Sequence, residues 1–247
     1  MSIDTPADLE GLRKAGRAVA EAIAETRAAV APGVSTASLD AIAARVFARH
    51  GARSAPMDSY GFPGFICISV NDEAVHGIPG PRVLEPGDLV TLDVTASVDG
   101  YIADAAVTVE VGRVDASARR LRLGAEAALR RALAHVRAGM TVAELGGIVE
   151  AEVEAHGLTV LRELTGHGVG RAIHEEPTVP NWADPHVATV LTDGLVITIE
   201  PIISTDTRWV VEGDDGWTIK TATGSKAAHA EHTLVVTDGK PIVLTAA

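Results

Sequence analysis

Two stretches of this chain repeat each other at a constant offset, and the repeat constrains the fold more than any other feature. Val30-Ala31-Pro32-Gly33 leads to Leu39 and closes at His50-Gly51; Val136-Arg137-Ala138-Gly139 leads to Leu145 and closes at His156-Gly157. Gly33 and Gly139, Leu39 and Leu145, Gly51 and Gly157, and Leu89-Val90 and Leu195-Val196 all stand 106 residues apart. Such coincidence implies two copies of one α+β unit. Units of this size bury too little surface to be secure alone. Paired, they are expected to share one core and leave a cleft between them. No linker composition separates the halves, roughly 1–112 and 113–247, so 1–247 reads as one domain.

Within each copy the order is helix, glycine turn, helix, strands. Leu39, Ile42 and Val46 recur at helical spacing. The Ala-rich stretch Val19–Val30 is interrupted by Glu21, Glu25 and Arg27, which marks an amphipathic helix rather than a membrane span. Ser35 and Thr141 suit N-caps, with Thr141 and Glu144 in capping-box register, and Gly51 and Gly157 suit C-terminal caps. His50 and His156, at the helix ends, suit the negative end of the helix dipole. Segments rich in Val, Ile and Thr predict strands at 89–94, 106–111, 195–199 and 233–236. Asp99-Gly100 predicts a hairpin turn.

Composition narrows the function. A net charge of -12 argues against binding nucleic acid through its phosphates. It suits a protein that holds divalent cations. Cys67 is the single cysteine, so no intrachain disulfide can form and a reducing, cytoplasmic setting is expected. The residues after Met1 lack a signal-peptide pattern, and no membrane partner is expected.

Four acids stand where acids are expensive. Asp93 lies within an apolar strand segment, and Glu200 occupies the corresponding place in the second copy, one residue out of register. Asp104 follows the first, and Glu231 precedes the segment at Thr233. A carboxylate in such a strand needs a partner or a metal. Two hairpins would bring all four to one pseudo-symmetric centre, where their repulsion calls for divalent cations. Gly166-His167-Gly168-Val169-Gly170 and His174-Glu175-Glu176-Pro177 supply imidazole, and imidazole with carboxylates suits Mn, Fe, Co or Zn. A zincin helix, a nucleophile elbow and a P-loop are all absent.

These residues, taken in order, resemble the type I methionine aminopeptidases. The likeness is carried by Ser69, Asn71, His76-Gly77-Ile78-Pro79, Asp93, Asp104, Gly166-His167-Gly168, His174-Glu175-Glu176-Pro177, Ile199-Glu200-Pro201 and Glu231-His232-Thr233. The resemblance implies the pita-bread fold: two pseudo-symmetric α+β halves sharing a curved antiparallel sheet around a dinuclear metal cleft. It implies Asp93, Asp104, His167, Glu200 and Glu231 as ligands of two divalent ions, Co, Mn, Fe or Zn. Asp104 and Glu231 would bridge. His76, His174 and Glu200 would be catalytic, with Glu200 carrying a proton from the attacking water to the leaving amine. His76, His174, Phe62, Cys67 and Trp217 would line the substrate pocket. The activity implied is removal of the first methionine from nascent polypeptides, favouring a small second residue. A monomer in the cytoplasm follows, with the ribosome as a candidate docking partner.

The chain departs from the family at three places. Ser59, with Tyr60 beside it, stands where the family commonly has Tyr. Ala105-Ala106 follow Asp104 where a hydroxyl residue is usual. His229-Ala230 precede Glu231 where Gln and an aromatic are frequent. Two rivals are weighed: a proline-specific peptidase of the same fold, which usually carries a further N-terminal domain, and a metal-free binding module on the same scaffold, which would be expected to have lost ligands.

Overall fold

The Ala-rich amphipathic stretch forms part of α1, Pro6–Ala28, in a computed structural model that describes residues 1–246. Thr5 accepts from the Asp8 amide and the Asp8 carboxylate returns a bond to the Thr5 amide, so two of the orphan donors at the helix start are satisfied. Leu12, Ala15, Val19 and Ala22 repeat at three- and four-residue intervals and are fully buried. Helix α2, Thr36–His50, is capped by Ser35 and ends on Gly51 in the left-handed region. A short α3, Ala55–Tyr60, follows. In the second half α4, Ala116–Leu133, and α5, Val142–Ala155, pack together. The Thr141–Glu144 capping box forms as expected, and Gly157 stands just past the His156 cap with φ +65.

The helices cover sheets that repeat as the sequence does. In the first half strand Leu89–Val98 is central, with Cys67–Val70 antiparallel on one side and Tyr101–Glu110 on the other. In the second half Val196–Ile199 is central, between Gly166–Gly168 and His232–Val235. Even the isolated bridge Ser35↔Val83 recurs, as Thr141↔Val190. Each half has its own apolar core. One gathers Val19, Val46, Phe47, Leu92 and Val94 under α1 and α2; the other gathers Leu121, Leu145, Val149, Ile197 and Leu234 under α4 and α5.

Two threonines join the halves. The Thr233 hydroxyl accepts from the Asp104 amide at 2.8 Å and donates to the Asp104 carbonyl at 2.7 Å. The Thr108 hydroxyl does the same for His229, at 2.8 and 2.9 Å. These hydroxyls satisfy buried backbone groups where the two sheets touch at the bridge Val107↔Ala230.

The halves differ in how they present their acids. Asp99 and Gly100 both have positive φ, +52 and +78, as a two-residue hairpin turn with native twist requires. That turn zips strand Tyr101–Glu110 from its first residue, five residues earlier than the pattern at Ala106 predicts. The expected second hairpin does not form. Pro201 has no amide to donate and follows Glu200 directly, so the strand stops there. The chain then makes strands Ile202–Ser204, Val210–Glu212, Ile219–Thr221 and Ala227–His229 before Glu231 arrives beside Glu200. The register His232↔Ile199 aligns them across the ladder.

Candidate metal centre and substrate cleft

The four acids converge. Asp104, Glu200 and Glu231 are buried to 6%, 8% and 2% exposure, and Asp93 faces the same cleft of about 570 Å³. Burial is the largest influence on each and raises its pKa. Asp93, Glu200 and Glu231 lie well above the ordinary carboxylate range, with mutual repulsion adding to the effect. Asp104 is raised to about 6, held lower by hydrogen bonds from Thr95 and Asp93. Such a cluster cannot ionise fully without a compensating positive charge.

His167 supplies the nitrogen. It sits on strand Gly166–Gly168, and its amide donates to the Thr198 hydroxyl at 3.0 Å. Its Nδ1–H donates to the Gly168 carbonyl at 2.9 Å, which leaves the lone pair on Nε2. That Nε2 stands 3.4 Å from Glu200 Oε1, whose other contact is the Thr198 hydroxyl at 2.8 Å. Ligand atoms of Asp104, His167 and Glu231 all lie within 4.8 Å of one another. Asp104 Oδ1 and Glu231 Oε1 are buried with no hydrogen-bond partner among the described residues. Buried oxygens of this kind cost about 1–3 kcal/mol each if left unsatisfied. Orphaned carboxylate oxygens around a correctly tautomerised imidazole fit divalent metal.

Two histidines reach the cleft from outside this cluster. His76 adopts φ +58, uncommon for a residue with a side chain. The following Gly77 permits the bend, because a Cβ there would stand 2.3 Å from the Ile68 carbonyl oxygen. His76 is exposed within the cleft, yet surrounding protein and the nearby His174 lower its pKa. His174 is also exposed, stacks edge-on to His167 with ring centroids 4.4 Å apart, and is shifted down by partial desolvation within the cleft and then by His167. The Tyr60 hydroxyl stands 2.8 Å from His174 Nδ1. If the hydroxyl donates, the His174 proton is on Nε2. The neighbouring Glu175 pairs with the Met1 ammonium group.

An apolar wall adjoins the acids. Phe62 and Trp217 meet edge to face, centroids 5.3 Å apart at 86°. Asp215 holds the Trp217 loop by accepting from the Trp217 and Thr218 amides at 2.9 and 2.7 Å. Val75, Ile202 and the buried Cys67 complete the wall. Burial and then the Asp93 charge push the Cys67 thiol up, so it is a neutral lining group and no nucleophile.

The structure thus gathers the candidate site residues read from the sequence, Phe62, Cys67, His76, Asp93, Asp104, His167, His174, Glu200, Trp217 and Glu231, around one cleft. Sequence reasoning named His229 and Tyr60 only as departures from the family pattern, with no role at the site, and passed over Thr198. A signal existed for two of them. Residues two apart on an extended segment share a face, which puts His229 with Glu231 and Thr198 with Glu200. Tyr60 reaches His174 across 114 residues, and no local pattern marks it.

Comparison with known proteins agrees with this geometry. Residues 10–238 match the model of metallopeptidase family M24. The chain is 42% identical to methionine aminopeptidase 2 of Bacillus subtilis over 99% of both chains. It is 38% identical to methionine aminopeptidase 1 of the same organism, over 98% of this chain and 97% of the relative. The crystal structure of methionine aminopeptidase from Thermotoga maritima superposes with a TM-score of 0.96 at 36% identity, covering 100% of both chains. Prolidase from Pyrococcus furiosus shares the fold, with a TM-score of 0.77 at 24% identity over 98% of this chain and 65% of the prolidase. The α+β pita-bread architecture expected from the sequence is the one observed.

Proposed function

The chain belongs to metallopeptidase family M24, and from that premise we propose that it removes the N-terminal methionine from polypeptides with its cleft acids and histidines as the machinery. The observation that carries the reading is the set of orphaned buried carboxylate oxygens around His167. Asp93, Asp104, His167, Glu200 and Glu231 would hold two divalent ions, of the Mn, Fe, Co or Zn class. When bound, such ions supply Lewis acidity and a water whose pKa falls toward about 7.

The chain's own residues do the rest. Phe62, Trp217 and Cys67 receive the methionine side chain, where sulfur–aromatic contact favours the thioether. His76, fixed by the bend at Gly77, flanks the scissile bond. His174 donates its Nε2–H to the carbonyl oxygen as charge develops there, a contact that strengthens in the transition state. Glu200 accepts the proton of the attacking water and returns it to the leaving amine. The Thr198 hydroxyl on Glu200 Oε1 leaves Oε2 to move that proton. A small second residue is the preference expected of this cleft. We further propose a cytoplasmic monomer acting on nascent chains, which the single buried cysteine and acidic charge suit; the ribosome remains the candidate docking partner.

The test is methionine release from Met-Ala-Ser and Met-Lys-Ser by chelator-treated protein resupplied with Mn(II), Fe(II), Co(II) or Zn(II). Metal-dependent release from Met-Ala-Ser, weak on Met-Lys-Ser and lost in Glu200→Gln, is expected. Folded protein that releases no methionine with any of these metals would overturn the reading.

A further inference from the structure

His229 is a histidine that the proposed ligand set does not use. It ends strand Ala227–His229, and the Thr108 hydroxyl clamps its backbone through both amide and carbonyl. The side chain therefore has little freedom, and it is 2% exposed and lines the metal cleft. Neither ring nitrogen has a hydrogen-bond partner among the described residues. Nε2 lies 3.6 Å from Glu231 Oε2 and 3.9 Å from Glu200 Oε2. Both separations exceed hydrogen-bonding range.

They match a different geometry. Two ligand atoms each about 2.1 Å from one tetrahedral ion stand roughly 3.4 Å apart. His167 Nε2 and Glu200 Oε1 meet that separation at 3.4 Å, and His229 Nε2 and Glu231 Oε2 come close to it. Glu200 thus has an imidazole near each of its oxygens. We propose that His229 is a further nitrogen ligand of this metal centre, so that two imidazoles, His167 and His229, serve the ions. This rests on the metal-centre reading above. Nitrogen-rich sites favour Co and Zn over Mn, so His229 biases the centre toward the borderline metals. The second ring nitrogen still lacks an acceptor among the described residues, and its proton provides the probe.

The experiment is proton NMR of the Co(II)-loaded protein, in which each coordinated imidazole gives a hyperfine-shifted, exchangeable N–H signal. Two such signals are expected. His229→Gln, which keeps a polar side chain of similar reach, removes one, and His167→Ala removes the other. Competition titrations should show His229→Gln weakening Co(II) and Zn(II) binding by about tenfold or more, with Mn(II) affected less. A single signal in the parent protein that survives His229→Gln overturns the assignment and leaves the metal centre standing. No shifted signal at all overturns the metal-centre reading with it. The parent count does not depend on either variant folding.

Discussion

Tyr60 shows how much of this site depends on single atoms. Its ring is half exposed and closes little of the core, yet its hydroxyl is 2.8 Å from His174 Nδ1. A donor there fixes the imidazole as the Nε2–H tautomer, the one that can donate to a carbonyl oxygen. Tyr60→Phe removes the donor and keeps the ring. One such hydrogen bond is worth about 0.5–1.5 kcal/mol, so kcat on Met-Ala-Ser should fall about 2- to 10-fold with KM nearly unchanged. A matched rise in KM would instead mean that Tyr60 acts in substrate binding alone. The residue also marks where sequence reading ends. Asp93, Asp104, Glu200 and Glu231 were legible because an acid in an apolar strand is costly, and His167 because glycines surround it. Tyr60 follows Ser59 in an unremarkable hexapeptide, and only the tertiary fold brings α3 to the His174 loop.

At the level of elements, the glycine of α5 connects packing to chemistry. A Cβ on Gly146 would stand 2.2 Å from the Trp182 carbonyl oxygen and 2.6 Å from that of Pro180. The helix is therefore bare at the point where the 180–182 segment crosses it. Between those carbonyls sits Asn181, whose side-chain amide donates to the Glu200 carbonyl at 3.0 Å. Gly146→Ala should push the segment outward and destabilise the fold by about 1–3 kcal/mol. Urea unfolding monitored by circular dichroism reads that loss as a lower midpoint. Activity per folded molecule should fall as well, since Asn181 steadies Glu200; undiminished activity would separate the packing role from the site. Gly147, its neighbour, meets only the Ala183 side chain at 3.4 Å, so Gly147→Ala is the control expected to be nearly neutral. The elements themselves were largely legible: caps at Ser35 and Thr141, the hairpin at Asp99-Gly100 and the four principal strands follow from local pattern. The excursion after Pro201 was not. Its short strands pair with Thr159–Val160, Glu73–Val75 and one another, and contacts so distant in sequence leave no periodicity to read.

The whole molecule carries a conflict that its repeat creates. Two fused copies bring four carboxyls into one buried centre, and all four have raised pKa values. A raised carboxyl holds its proton more tightly folded than unfolded. Its contribution to stability is present below the unfolded value, near about 4, and is lost as pH rises through the folded value. For Asp104 that loss begins near the unfolded value and is complete at about 6, and the other three, raised in the same direction, add to it. Metal-free protein should therefore lose stability between acid and neutral pH. Divalent ions reverse the sign, because the ligands must shed protons to bind. At a free ion concentration of about 100 times Kd, binding stabilises the fold by about 2.7 kcal/mol. In a chain of this size that corresponds to a Tm gap of about 5–10 °C between loaded and chelated protein. Calorimetry at pH 7.5 should find the gap, and at pH 5 it should shrink sharply as protons displace the ions. A chelated protein that melts with the loaded one at pH 7.5 would mean that the fold tolerates four buried acids without a cation, and the pseudo-symmetric centre would need another source of positive charge.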